Sequence, residues 1–197
     1  MMSDFEFPPY ESFFHGPITS KLWLCREIER ALRKKNIDNA TVNVLGSWTN
    51  ILAFMLIVRN AHMYHKFNGY DIDINAITAA DAICDTWKRE SPKVDNYLAD
   101  INQLDFSSCN KSTIFINCSV DHLDSTKWYD TIPKGRLICI QATDVNIPDA
   151  PWFIRQHTSH ISALLYRYPM TEIIYKGSKR IQYDSWGFTR FMVIGMK

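Results

Sequence analysis

The chain has 197 residues, 46% of them hydrophobic, with 22 basic and 21 acidic side chains and a formal net charge of +1. This length fits one compact domain over residues 1–197 with a sizeable buried core and leaves little room for a second. The balanced charge excludes binding to nucleic acid or an anionic membrane by bulk charge alone, so any such partner needs a local basic patch.

No apolar stretch approaches the roughly 20 residues that span a bilayer, and the N-terminus is acidic and aromatic, unlike a secretory signal. A cytoplasmic protein without membrane contact is the expectation. Cys25, Cys84, Cys109, Cys118 and Cys139 are scattered without a C-x-x-C pair and read as reduced thiols. His62 with His65 and His157 with His160 form H-x-x-H pairs. Each offers fewer ligands than a stable zinc site needs, and no metal is expected.

Residues 1–16, with Phe5, Phe7, Tyr10, Phe13 and Phe14 around two prolines, show neither a strand nor a helix period and read as an N-terminal arm or lid. From Pro17 a helix is predicted, capped by Thr19 or Ser20. Its apolar positions Leu22, Cys25, Ile28 and Leu32 share a face, and Arg33, Lys34 and Lys35 suit its C-terminal dipole. The run ATVNVLG predicts a strand ending in a glycine turn, and WTNILAFMLIVRN a helix after it. KFNGYDID is the second strand, followed by NAITAADAICDTW with Ile77, Ala80, Cys84 and Trp87 at helical spacing.

The alternation continues through VDNYLAD, STIFINCS and GRLICIQATD, giving five strands interleaved with helices and therefore a parallel sheet. After a helix through SHISALLYRY, the β-rich stretches MTEIIYKG and SWGFTRFMVIGMK lie too close for a crossover. They are predicted to pair as an antiparallel hairpin.

Open parallel sheets bind ligands beyond the carboxyl ends of their strands. There the first strand offers Gly46, Ser47 and Trp48, a sharp turn before a helix N-terminus. Neither G-x-G-x-x-G nor a P-loop is present. The second strand ends at Asp71, 25 positions after Gly46, where a carboxylate can accept both hydroxyls of a ribose, with Ile72 beside it; Asp73 suits a helix cap. The third strand ends in Asp100 and Ile101, an acceptor for an adenine amino group and an apolar cover for the ring.

The segments VNVLGSWTN, GYDIDINAI, LADI and STIFINCS, in this order and spacing, resemble the successive cofactor motifs of the class I S-adenosylmethionine-dependent methyltransferases, over roughly residues 40–145. The resemblance implies a Rossmann-like three-layer α/β sandwich with a mostly parallel seven-stranded sheet in the order 3-2-1-4-5-7-6 and a C-terminal antiparallel hairpin. It implies S-adenosylmethionine as cofactor, with Gly46, Ser47 and Trp48 at its methionine moiety, Asp71 and Ile72 at the ribose, and Asp100 and Ile101 at the adenine. Asn117 and Ser119 would lie beside it. The family has two or three glycines where this chain has Gly46, Ser47 and Trp48.

The fourth strand opens into Asn117, Cys118, Ser119, Val120, Asp121 and His122. Only Asn117 matches the pattern of nucleic-acid amino methyltransferases, and Cys118 lacks the preceding proline of cytosine C5 enzymes. Asp121 and His122 are candidates for a general base, with Ser119 on the acceptor side. A small polar acceptor is favoured over nucleic acid. Residues 21–35 carry six basic against two acidic groups, and residues 151–197 seven against two, so an anionic acceptor follows if both surfaces meet beside the site. A non-catalytic member of the fold that acts as a binding protein and transfer of another group from the cofactor, such as aminopropyl, are the alternatives.

Overall fold

The structure, a computed structural model, describes residues 13–145 and 154–197. Within them run α1 (His15–Lys34), β1 (Ala40–Leu45), α2 (Ile51–Asn60), β2 (Tyr64–Asp71), α3 (Ile74–Ile83), β3 (Lys93–Leu98) and β4 (Thr113–Asn117). Then come α4 (Lys127–Thr131), β5 (Leu137–Thr143), α5 (Ile161–Arg167), β6 (Glu172–Gln182) and β7 (Gly187–Met196). One seven-stranded sheet has the order β3-β2-β1-β4-β5-β7-β6. β1 to β5 are parallel, and β7 is antiparallel to both β5 and β6. The sheet, its order and the terminal hairpin are those that the resemblance implies. No helix among the described residues is long and apolar enough to cross a membrane.

The central strands are apolar on both faces because both are covered. On β5, Leu137 and Cys139 join a core with Leu24, Ile28 and Leu32 of α1 and Leu52 and Leu56 of α2. Ile138, Ile140 and Ala142 join a second core with Trp128 and Tyr129 of α4 and Leu164 of α5. The same alternation divides Met192 and Ile194 from Phe191 and Val193 on β7. Period-2 burial on both sides is what a sheet in the middle of three layers requires.

α1 begins earlier than expected. Phe14 is its N-cap, and Thr19 and Ser20 lie inside the helix. The expected arm therefore gives way to helix at His15, while residues 1–12 lie outside the described residues. Ser20 is a tether instead of a cap: its hydroxyl donates to Gln141 Oε1 on β5 at 3.1 Å, and both residues are buried. At the other end, the N–H of Ile37 reaches the Leu32 carbonyl (3.0 Å) and that of Asn36 reaches Arg33 (3.2 Å), with Asn36 at φ 52°. These paired bonds around a left-handed residue close the helix by satisfying its last carbonyls.

β6 extends further than its apolar part. The polar run KGSKRIQ is strand, and on a sheet edge its charges Lys176, Lys179 and Arg180 suit the position because they discourage pairing with another chain.

Candidate functional site

β1, β2 and β4 end level, Leu45 pairing with Tyr70 on one side and Asn117 on the other. Beyond Leu45 the backbone is left-handed at Gly46 (φ 64°), Trp48 (φ 51°) and Asn50 (φ 48°), and α2 starts at Ile51. For a residue with a Cβ this conformation costs about 1 to 2 kcal/mol. The turn is held by hydrogen bonds: Ser47 N–H donates to the Tyr70 carbonyl and Asn50 N–H to the Ser47 carbonyl, both at 2.9 Å. Trp48 N–H donates to Asp71 Oδ2 at 2.7 Å. Thus Asp71, at the end of β2, fixes the turn after β1. Under the turn, Gly69 on β2 leaves room for Asn50, since a Cβ there would lie 2.6 Å from Asn50 Nδ2.

The other Asp71 oxygen accepts the Asp73 N–H at 3.1 Å, so each oxygen retains a lone pair for a further donor. Ile72 beside it is 74% exposed, and Leu98, facing Asp71 across the β2–β3 register, is 55% exposed. Two apolar side chains thus flank an available carboxylate. Asp73 caps α3 by accepting the Asn75 N–H at 2.8 Å. Asp100 accepts the Asn102 N–H at 2.9 Å and the Gln103 side-chain amide at 3.2 Å, ordering the 3-10 turn Ile101–Gln103, and Ile101 packs into the second core. Leu98 was not foreseen, although an apolar residue ending the strand beside Asp71 was a readable sign.

Gly46 and Ser119 bring the ends of β1 and β4 together. The Ser119 hydroxyl donates to the Gly46 carbonyl at 2.9 Å, and a Cβ on Gly46 would come within 2.7 Å of Ser119 Cβ. Asn117, fully buried, accepts the Ser119 N–H at 2.9 Å. The 3-10 turn Val120–His122 follows, with its last N–H donating to the Ser119 carbonyl at 3.0 Å. Asp121 and His122, expected as a pair, face different surroundings: His122 is exposed and Asp121 sealed from solvent.

Asp121 is paired with Arg190 of β7, Nη1 to Oδ2 at 3.4 Å, and Arg190 Nη2 donates to the Cys118 carbonyl. Burial pushes the Asp121 carboxyl up to about 6, against the opposing pull of Arg190, Arg167 and His157. The Asp121 carbonyl also accepts the N–H groups of Arg155 (2.7 Å) and Gln156 (2.9 Å), anchoring the chain where it returns to the sheet. From α1, Lys21 lies within electrostatic reach of Cys118 and Arg190. Sequence reasoning missed Lys21 and Arg190, because only the sheet order and the direction of α1 bring them to the end of β4.

Neither H-x-x-H pair belongs to a cluster of three potential metal ligands among the described residues. His157 Nε2 contacts the Asp144 carbonyl, and His160 Nδ1 accepts the Ala163 N–H at 3.2 Å to cap α5. Among the described residues no three His, Cys, Asp or Glu gather as metal ligands, and all five cysteines are free thiols. The basic surface of α1 runs away from the site: Arg26 and Arg30 share Glu27, and Lys35 pairs with Glu172 at the start of β6, the opposite edge of the sheet.

No family model and no curated protein sequence matches the chain. Solved structures do. The MccD protein superposes with a TM-score of 0.63 at 12% identity over 87% of this chain and 96% of that one. Magnesium protoporphyrin IX methyltransferase ChlM from Synechocystis PCC 6803, with bound SAH, gives 0.62 at 11% identity over 91% and 84%. A SAM-dependent methyltransferase from Aquifex aeolicus gives 0.54 at 13% identity over 85% and 88%. This chain has the class I methyltransferase fold. At such identities the likeness is one of fold. Within that fold, the available Asp71 carboxylate, its exposed apolar neighbours and the close Gly46–Ser119 approach are compatible with an adenosine-containing cofactor at the ends of β1, β2 and β4.

Proposed function

We propose that this protein binds S-adenosylmethionine and transfers its methyl group to a small polar acceptor. The observation that carries the reading is the Asp71 carboxylate, held by the Trp48 N–H at the junction of β1 and β2 with one lone pair free on each oxygen. A carboxylate so placed accepts two adjacent ribose hydroxyls. Ile72 and Leu98 offer apolar contact to the adenine, with Asp100 at the end of β3 on that side, whereas Ile101, expected as a cover for the ring, is withdrawn into the second core. Gly46, Ser47 and Trp48 form the floor under the methionine end, and Asn117 orients Ser119 against Gly46.

The cofactor, when bound, supplies an electrophilic methyl group on a sulfonium sulfur. An oxygen or nitrogen acceptor needs its lone pair freed of a proton, and exposed His122 is the group suited to take it. Asp121, sealed and paired, holds Arg190 in place instead. Positioning the acceptor beside the methyl group contributes much of the rate in such reactions. A small acceptor is favoured over nucleic acid because the basic surface of α1 leads away from the strand ends.

Calorimetric titration with S-adenosylmethionine and S-adenosylhomocysteine tests the reading. Asp71→Ala is expected to weaken binding by about 1 to 3 kcal/mol through loss of hydrogen bonds to a charged acceptor. Unchanged affinity in a folded variant would sink the ribose assignment. Trp48 and Asn50 in left-handed positions favour one alternative, a non-catalytic protein on this fold; wild-type protein that binds neither ligand would establish it.

A further inference from the structure

We propose that the tip of the β6–β7 hairpin is a stacking platform for a planar aromatic acceptor, held ring against ring by Tyr183, Trp186 and Phe188. The platform deepens the methyl-transfer reading and rests on it for the role of the bound ring.

Thr143, the last residue of β5, pairs with Arg190, and the hairpin continues past it to the Ile181–Phe188 pair and the turn Asp184–Ser185. The tip therefore projects beyond the carboxyl edge of the sheet, the edge at which open parallel sheets bind ligands. Side chains alternate along a strand, so Phe188 shares the face of Arg190, and Trp186 continues that row toward the turn. Arg190 in turn is bonded to Asp121 and to the carbonyl of Cys118, next in chain to Ser119, which touches Gly46. The platform thus begins two strand positions, about 7 Å, from the arginine fixed just beyond β4.

The three rings are aligned. Tyr183 and Trp186 stack with centroids 4.7 Å and planes 14° apart, and Phe188 lies 5.7 Å from Trp186 and 6.4 Å from Tyr183 at 25° and 26°. The backbone beneath them is held by the Gln182 side-chain amide, which donates to the carbonyls of Tyr183 (2.8 Å) and Trp186 (3.0 Å), and by the Tyr183 N–H, which donates to the Trp186 carbonyl at 2.7 Å. From the start of α1 the Gly16 N–H donates to the Tyr183 hydroxyl at 3.1 Å. Gly187 is needed at the join, since a Cβ there would lie 2.7 Å from the Ile181 carbonyl. Yet among the described residues none of the three rings joins either hydrophobic core, and each is only half-buried. Three large aromatic side chains are locked in nearly parallel planes while part of each stays in water.

Fixed rings of this kind favour one class of ligand. A saturated ligand gains only from covering them, whereas a flat aromatic ring gains in addition from offset stacking, which ring quadrupoles favour at centroid separations of about 4.5 to 7 Å. Little ordering is left to be lost on binding, because the planes are already set. The acceptor that fits is a small aromatic or heteroaromatic ring system whose hydroxyl or amine points toward the end of β4.

2-Naphthol and decahydro-2-naphthol carry the same hydroxyl on the same carbon frame, and only the first is flat and aromatic. Each is titrated calorimetrically into the full chain, with and without S-adenosylhomocysteine, and into Trp186→Ala, Trp186→Phe and Phe188→Leu, each shown to be folded by thermal unfolding. Naphthol is expected to bind the loaded wild type about tenfold more tightly than its saturated analogue. Trp186→Ala should abolish that preference, Phe188→Leu reduce it, and Trp186→Phe retain most of it. In wild-type protein the indole N–H resonance that is missing from the Trp186→Phe spectrum should shift on addition of naphthol alone, a readout that needs no folded alanine variant.

Equal binding of the two probes would overturn the platform. So would a preference that survives both Trp186→Ala and Phe188→Leu, because the ring would then be held elsewhere, or one that emerges only when Phe5, Phe7 and Tyr10 are replaced by serine, because the chain would then cover the platform with its own rings. Competition between naphthol and S-adenosylhomocysteine would make the rings a seat for the cofactor's adenine and overturn the acceptor assignment. If S-adenosylhomocysteine does not bind, the cofactor reading fails instead, and the two probes on the unloaded protein still decide the platform.

Discussion

The two halves of the sheet's carboxyl edge are built on different principles. At the ends of β1, β2 and β3, each carboxylate is satisfied locally: Asp73 and Asp100 accept N–H groups two residues on, and Asp71 does the same while holding Trp48. At the ends of β4 and β5 and the start of β7, the charged groups Asp121 and Arg190 come from distant parts of the chain and are largely withdrawn from solvent, and among the described residues Arg190 Nε has no hydrogen-bond partner. The first half is fixed by backbone geometry. The second holds charge that its own contacts do not fully compensate, so its behaviour depends on pH and on ligand.

The sharpest way to break the first half is Gly46→Ala. The left-handed φ of 64° penalises a Cβ, and that Cβ would lie 2.7 Å from Ser119 Cβ. Conformational cost and overpacking together amount to about 3 kcal/mol of lost stability, with loss of cofactor binding as the turn shifts. Gly135, at φ 75° with open space for 4 Å around the place a Cβ would take, is the control. Gly135→Ala should cost only the conformational part, about 1 kcal/mol, and leave cofactor affinity unchanged. Equal effects in denaturant unfolding and calorimetry would show that the Gly46–Ser119 approach has no special role.

The second half is tested through pH. The Asp121 carboxyl is raised from 3.8 to about 6 in the folded protein, so the native state holds a proton that the unfolded state has lost between these values. Stability from this group is fully present below about pH 3.8 and falls as pH rises through 6, by up to about 3 kcal/mol at roughly 1.4 kcal/mol per unit. Asp121→Asn should remove that slope. Denaturant midpoints of both proteins at pH 4, 5, 6 and 7 give the comparison, and parallel profiles would mean that Arg190 compensates the buried charge completely.

The same contrast explains what could be read from the sequence. The parallel sheet, its reversed last strand and the Gly46 and Asp71 positions were legible because strand ends and turns carry local chemistry: a glycine after a β-branched run, a carboxylate after an apolar one. The start of α1 was misread because Thr19 and Ser20 are good caps in isolation, and only the buried bond from Ser20 to Gln141 shows why a hydroxyl sits mid-helix. Asp121 was legible as a residue just beyond β4 but not as a sealed one, since its burial depends on Arg190 arriving from the antiparallel strand.

The smallest expected effect belongs to Trp48, where the turn keeps a left-handed backbone on a large aromatic residue. If only the backbone at this position matters, Trp48→Gly retains the N–H donated to Asp71 and relieves about 1 to 2 kcal/mol of conformational cost. Against that stand the lost contacts of a half-buried indole and the added freedom of glycine in the unfolded chain, about 0.5 to 1 kcal/mol for the latter. The variant should therefore unfold within about 1 kcal/mol of the wild type and bind S-adenosylhomocysteine equally well or more tightly. A tenfold or greater loss of affinity in the folded variant would show instead that the indole itself contacts the ligand, and that this turn achieves with an aromatic ring what a second glycine would achieve by close backbone approach.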